Sequence, residues 1–157
     1  MPHQYKYLFG PVPSRRLGLS LGLDLTPYKT CTLDCVFCQL GRTTRRTIQR
    51  RAYVPLRAIQ TELLHWIKKG GRADCITLCG SGEPTLHTGF GEMLAFVREQ
   101  TSWPTVLMTN GTLFTRPAVR RAARRAHIVK VSLSAWDQAA FMRINRPQQA
   151  LSFERIV

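Results

Sequence analysis

Three cysteines fall within the eight residues "CTLDCVFC": Cys31, Cys35 and Cys38. They are the side chains whose type and spacing could do chemistry. Closely spaced thiols in a short loop read first as metal ligands. A closed structural zinc site takes four protein ligands, and the local count stops at three. His65 or His87 could supply a fourth, although neither stands at short-finger spacing. Cysteine thiolates are also the usual ligands of iron–sulfur clusters. A cubane cluster held by three of them keeps one iron open, and an open coordination position marks chemistry rather than scaffolding. Two more thiols, Cys75 and Cys79, stand four residues apart in an apolar segment and read as buried, inert cysteines.

The elements that must position these residues alternate between strand and helix. "LGLSLGLDL" (17–25) puts leucines on one side at period two, a strand whose glycines on the other side invite something to pack close to the backbone. A loop from Thr26 to about Arg51 carries the three cysteines. "PLRAIQTELLHWIKKGG" (55–71) reads as a helix, with Pro55 in the first turn and Gly70–Gly71 at its end. "DCITLC" (74–79) is a second strand, ended by "GSGEPTLH", and a helix over about 89–100 follows. "TVLMT" (105–109) is a third strand closed by Asn110–Gly111, "PAVRRAARRA" (117–126) a short basic helix, and "IVKVSLS" (128–134) a fourth strand. A last helix begins near Trp136, and "QQALSFERIV" has the pattern of an amphipathic helix start. There is no internal repeat and no low-complexity tract. Four strands separated by helices predict a parallel α/β sheet. Ligands in such sheets sit beyond the carboxyl ends of the strands, and the cysteine loop, "GSGEPTLH", Asn110–Gly111 and "SAW" all converge there.

At 157 residues the chain has the size of one domain. No apolar run is long enough to span a membrane, and the start lacks a basic-then-apolar signal. The expected compartment is the cytoplasm, where thiols stay reduced. The net charge is +14, from 23 basic and 9 acidic residues. Arg42, Arg45, Arg46, Arg50 and Arg51 form one cluster; Arg116, Arg120, Arg121, Arg124 and Arg125 form another. Such a field attracts polyanions, RNA being the usual one. The plainer reading is a solvated basic face, since neither cluster interleaves aromatic residues for base stacking.

Cys31-x3-Cys35-x-Phe37-Cys38 resembles the signature of the radical S-adenosylmethionine (SAM) enzymes. "GPVPSRRLGLSLGLDLTPYKTCTLDCVFCQLGRTT", "GSGEPTLH" and "VKVSLSAWDQAAFMRINRP" are similar to blocks of a prokaryotic branch described as iron–sulfur oxidoreductases, related to tRNA wyosine-synthesis enzymes. The similarity runs over nearly the whole chain. It implies an α/β fold, a parallel-sheet partial (βα)6 barrel, with about four strand–helix units present. Residues 1–157 would then be a radical SAM core domain cut short on its C-terminal side, with an uncovered sheet edge.

The resemblance further implies that Cys31, Cys35 and Cys38 hold a [4Fe–4S] cluster and that the amino and carboxylate groups of SAM take the open iron. Phe37 would lie near the adenine. Gly80, Ser81, Gly82, Glu83 and Pro84 match the segment that meets the SAM amino group, with Ser81 where the family usually has glycine. Gly82 allows close backbone approach, and Glu83 can accept from an ammonium. Asn110 and the serines Ser132 and Ser134 match positions at the site edge, where many relatives carry an acid in place of Ser134. Asn110 has a second reading, as a turn residue before Gly111. The implied activity is reductive cleavage of SAM and hydrogen abstraction from a substrate, with tRNA a candidate, a flavodoxin- or ferredoxin-type electron donor, and no membrane partner. The alternative is a zinc-containing or iron–sulfur nucleic-acid-binding module without catalysis.

Overall fold

The computed structural model describes residues 5–157. Its main sheet has five strands in the order β1-β2-β5-β6-β7. β2 (Gly18–Leu23), β5 (Cys75–Leu78), β6 (Thr105–Thr109) and β7 (Ile128–Val131) run parallel. They are the four strands expected from the sequence pattern, with β2, β5 and β7 trimmed at their ends. β1 (Leu8–Ser14) pairs antiparallel with β2. This strand was not expected, because "LFGPVPS" carries two prolines and a glycine. An edge strand tolerates them: the ladder shifts register between Phe9 and Val12, and Pro11 lies in that irregular stretch. A short second ladder joins β3 (Thr30–Cys31) to β4 (Arg45–Arg46) and closes the cysteine loop on itself.

The two faces of the sheet differ. Leu21, Leu23, Ile76, Leu78 and Leu107 point towards the helices and form the main core. α1 (Leu56–Lys68) adds Ile59, Leu63 and Trp66, and α2 (Phe90–Gln100) adds Phe90, Met93, Leu94 and Val97. α3 (Pro117–Ala123) adds Val119 and Ala123. The alternate residues Ser20, Thr77 and Met108 face the other way and line a cavity of about 780 Å³. The close packing anticipated at the strand glycines is the ring of Phe9 over Gly22, where a Cβ would lie 2.0 Å from Cζ.

The expected helix near Trp136 is present, but the tail after it differs from its expectation. α4 (Gln138–Ala140) is short and passes directly into a π-helical turn over Phe141–Asn145. "QQALSFERIV" gives only a 3-10 turn at Phe153–Arg155. These residues form a second small core, in which Leu33, Ala135, Ala140 and Phe141 are buried with Ile144, Leu151 and Phe153 against them. Leu33 sits in the cysteine loop and forms a bridge with Pro147. The segment is therefore a brace beneath the cysteines, and its apolar pattern serves that packing rather than a longer helix. β7 is the outer strand, with Ile128, Val129 and Val131 exposed.

Candidate functional site

The carboxyl ends of β2, β5 and β6 meet the cysteine loop at one edge of the sheet. The five cysteines are free; Cys31, Cys35 and Cys38 are partly exposed. The loop is fixed by Cys38 N–H donating to the Cys35 carbonyl at 3.1 Å and Gly41 N–H to the Cys38 carbonyl at 2.9 Å. Asp34 accepts from Thr43 N–H at 2.6 Å and faces Arg42 at 3.5 Å. From the brace, the Asn145 and Ile144 carbonyls accept from the Asp34 and Val36 amides.

Each cysteine sulfur receives one side-chain N–H, and each donor comes from a different element. Lys29 Nζ reaches Cys38 at 3.0 Å, Asn145 Nδ2 reaches Cys35 at 3.2 Å, and Asn110 Nδ2 reaches Cys31 at 3.6 Å. Burial pushes the Cys31 thiol up to about 12, with the Glu83 carboxylate adding to the shift. Burial raises Cys35 as well, and the Asn145 hydrogen bond opposes it. Asn145 Oδ1 is buried without a partner among the described residues.

The "GSGEP" turn lies directly against this loop. A Cβ on Gly82 would stand 1.9 Å from the Thr30 carbonyl oxygen, so only glycine fits. Glu83 N–H donates to that carbonyl at 3.1 Å, and Lys29 N–H donates to the Ser81 carbonyl at 2.7 Å. Gly80 has φ +143° and its Cα passes close to the Asp24 carboxylate. Pro84 starts a buried 3-10 turn capped by Glu83.

Glu83 is 3% exposed, and its carboxylate accepts four hydrogen bonds. They come from Thr85 N–H (3.1 Å), Thr85 Oγ1 (2.6 Å), Thr109 Oγ1 (2.6 Å) and Asn110 N–H (2.9 Å). Burial pushes its pKa up, against the pull of those donors. Three of these donors meet Oε1 and one meets Oε2, so its own chain takes up most of the carboxylate's acceptor capacity. The residue joins the end of β5 to the end of β6.

Asn110 is both a turn residue and part of the site edge. It precedes Gly111 at φ +75°, and its amide also donates to Thr32 Oγ1 at 2.8 Å and accepts from Thr112 Oγ1 at 2.7 Å. Phe37 is 57% exposed beside Cys38. Ser132 follows β7, where its N–H donates to the Thr109 carbonyl and its hydroxyl accepts from Lys130; Ser134 is exposed beyond it.

Among the described residues, no three His, Cys, Asp or Glu side chains converge closely enough to share a single metal ion. His87 is engaged at both ring nitrogens, with the Val54 carbonyl at 2.9 Å and Gly89 N–H at 2.9 Å. His65 Nδ1 pairs with the Tyr5 hydroxyl at 3.0 Å on exposed α1. Neither histidine is turned to the cysteines. Cys75 is buried, as expected. Cys79 instead lines the cavity beside Asp24, and burial pushes it up to about 12. Burial also raises Asp24, whose carboxylate accepts from Ser81 N–H at 3.0 Å. Lys29, Asp24 and Asn145 carry no local sequence signal; only their placement in the fold singles them out.

The basic clusters are partly consumed by the fold. Arg50 donates to the Thr85 and His87 carbonyls, Arg116 to Ile48, Arg120 to Phe114 and Arg125 to Gly91. Burial, with Arg116 nearby, lowers the Arg50 pKa. No described helix is long and apolar enough to cross a membrane.

An α/β half-barrel that gathers three thiols and a glycine–glutamate turn at its carboxyl edge has the layout of the radical SAM class. Residues 25–156 match the model of the Radical SAM superfamily, and the chain belongs to that superfamily. It is 36% identical over 151 residues to a UPF0026 protein of Methanocaldococcus jannaschii, covering 95% of this chain and 47% of that protein. A UPF0026 protein of Synechocystis is also 36% identical, over 96% of this chain and 56% of its own length. A protein named GTPase Obg from Brachyspira hyodysenteriae is 35% identical over 97% of this chain, which covers 22% of that protein. The present chain has no Gly-x4-Gly-Lys-Ser/Thr phosphate loop, so nothing in its residues matches that name. The chain thus spans about half or less of these curated relatives.

Proposed function

We propose that this chain carries the cluster- and SAM-binding part of a radical SAM enzyme, of the iron–sulfur oxidoreductase branch related to wyosine synthesis. Cys31, Cys35 and Cys38 would hold a [4Fe–4S] cluster and leave one iron open to SAM. The donor set fits: three free, partly exposed thiols and a side-chain N–H donor for each of their sulfurs. When bound, the cluster supplies one electron to SAM, which breaks a carbon–sulfur bond to give methionine and a 5′-deoxyadenosyl radical.

The protein's own residues bind, orient and shield. Gly82 lets the turn sit flush against the cysteine loop, where a Cβ would meet the Thr30 carbonyl. Glu83 fixes the turn to Asn110, whose amide in turn steadies Cys31. Phe37 offers an exposed ring for the adenine. Ser132 and Ser134 stand at the edge where the ribose would lie. The cavity behind β2, β5 and β6 is the natural substrate side, with Asp24 and Ser81 on its wall.

The observation that carries this reading is the packing of the three-cysteine loop onto the "GSGEP" turn. The proposed substrate class is tRNA, supported by the +14 charge and the wyosine-type resemblance. The electron donor would be of flavodoxin or ferredoxin type, and the setting cytoplasmic. The test is anaerobic cluster reconstitution, followed by chromatography of SAM cleavage products with and without bulk tRNA. Formation of 5′-deoxyadenosine that depends on the cluster supports the reading, and stimulation by tRNA supports the substrate class. A fully loaded protein that neither cleaves SAM nor changes its cluster spectrum when SAM is added would refute it for this chain.

A further inference from the structure

Lys29 is an unusual lysine. It is 3% exposed, and among the described residues no carboxylate lies within ion-pairing distance of it. Its backbone sits at φ +55°, in the left-handed region that non-glycine residues seldom occupy. Three hydrogen bonds hold it there. Its N–H donates to the Ser81 carbonyl at 2.7 Å, and its carbonyl accepts from Arg45 N–H at 3.1 Å and Thr44 Oγ1 at 3.5 Å. The pinned backbone turns the side chain inward, and Nζ ends 3.0 Å from Cys38 Sγ. A buried ammonium without a counter-ion is costly unless a negative group meets it. In the folded chain the group that meets it is a cysteine sulfur.

The three sulfur donors are unequal. Asn110 and Asn145 are neutral amides at 3.6 and 3.2 Å; Lys29 is a full charge at 3.0 Å. Two acids face the same region. Asp34 is paired with Arg42, and the Glu83 carboxylate is held by Thr85, Thr109 and Asn110. Reducing an iron–sulfur cluster adds one negative charge. Nearby charge and hydrogen bonds to the sulfurs are among the factors that set its potential. Burial keeps solvent from screening the interaction.

We propose that Lys29 is a fixed positive charge that raises the reduction potential of the cluster held by Cys31, Cys35 and Cys38, and thereby decides which one-electron reductants can load it. The inference rests on the cluster reading above. It concerns a single electron passed from a low-potential one-electron reductant to the cluster, before any bond is broken. Lys29 is a tuning residue in this role and touches no substrate.

The experiment is a potentiometric titration of the whole chain after anaerobic reconstitution, read by the electron paramagnetic resonance signal of the reduced cluster. Iron and sulfide content are measured on the same samples. The variants are Lys29→Arg, which keeps the charge, and Lys29→Gln and Lys29→Met, which remove it. At the wild-type midpoint the reduced-to-oxidised ratio should drop about tenfold in the two neutral variants, a shift of about 59 mV for a one-electron couple. Lys29→Arg should stay close to wild type, and Asn110→Ala and Asn145→Ala should shift less than the neutral lysine variants. Full cluster content with an unchanged midpoint in Lys29→Gln and Lys29→Met overturns the inference. Loss of the cluster from both, with retention in Lys29→Arg, also overturns it, because Lys29 would then serve assembly. A wild-type chain that takes up no iron and sulfide refutes the cluster reading itself, a separate result.

Discussion

Replacing Glu83 tests how the site is held together before any cofactor is added. Four donors converge on its carboxylate, and two of them, Thr85 N–H and Asn110 N–H, are backbone groups that cannot turn away. A buried donor left without a partner costs roughly 1–3 kcal/mol. Glu83→Ala strands both, so the expected loss is about 2–6 kcal/mol. The Thr85 and Thr109 hydroxyls can rotate and add less. Against a domain stability of about 5–15 kcal/mol, that loss is a large fraction. Glu83→Gln keeps one acceptor oxygen for the Oε1 donors and sets an NH2 group against Asn110 N–H, so its cost should be about 1–3 kcal/mol. The assay is urea denaturation of the apo-chain, reading midpoints at constant slope. The predicted order of stability is wild type, then Gln, then Ala. A Glu83→Ala chain within about 0.5 kcal/mol of wild type would refute the hub role, since a surface substitution does no more than that. A Glu83→Gln chain at least as stable as wild type would show that burial outweighs the four donors.

Further outcomes follow from the same geometry. Cys31→Ala, Cys35→Ala or Cys38→Ala should each abolish stable cluster loading, measured as iron and sulfide content, while Cys75→Ala should leave it intact. Gly82→Ala forces a methyl onto the Thr30 carbonyl and should destabilise the fold by about 1–3 kcal/mol or more, read as a lower denaturation midpoint. His87 is held neutral, its pKa lowered chiefly by burial. The unfolded chain therefore binds more protons from about pH 6.5 downward, and stability should fall as pH falls through that window. His87→Gln should lose that part of the dependence in denaturation midpoints compared between pH 7.5 and 5.5. If tRNA binds, reversing Arg121 and Arg124, which leave the carbonyl-bonded Arg120 and Arg125 in place, should flatten the salt dependence of its affinity. An unchanged slope would reject that face as the contact.

The parallel core was legible in the sequence because periodicity reports burial directly. Leu21, Leu23, Ile76 and Leu107 alternate as the pattern requires, and β6 was read with both its ends. β1 was hidden because two prolines and a glycine mask a strand that only an edge position can hold. A helix does begin near Trp136, and only the tail over 148–157 departs from its expected helix start, for a related reason. An apolar spacing that suits a helix also suits a segment packed against Leu33 and the cysteine loop. At the site, the thiols and the glycine–glutamate turn were visible as residue types. The roles of Lys29 and Asn145 were not, because they depend on contacts made across the fold and on one unusual backbone angle. Asn145 stands 110 residues from Cys35, and no local pattern encodes such a meeting. Glu83 was visible as a carboxylate, but its four internal donors were not, and they also make it a junction between strands.

The most direct test of the central claim is electron paramagnetic resonance of the reduced, anaerobically reconstituted chain, recorded with and without SAM. The account predicts iron and sulfide in [4Fe–4S] proportion, lost in Cys31→Ala, Cys35→Ala and Cys38→Ala, and a reduced-cluster spectrum that changes when SAM is added, because one iron is open to it. A loaded cluster whose spectrum ignores SAM, or a colourless chain that takes up zinc in place of iron, would contradict it.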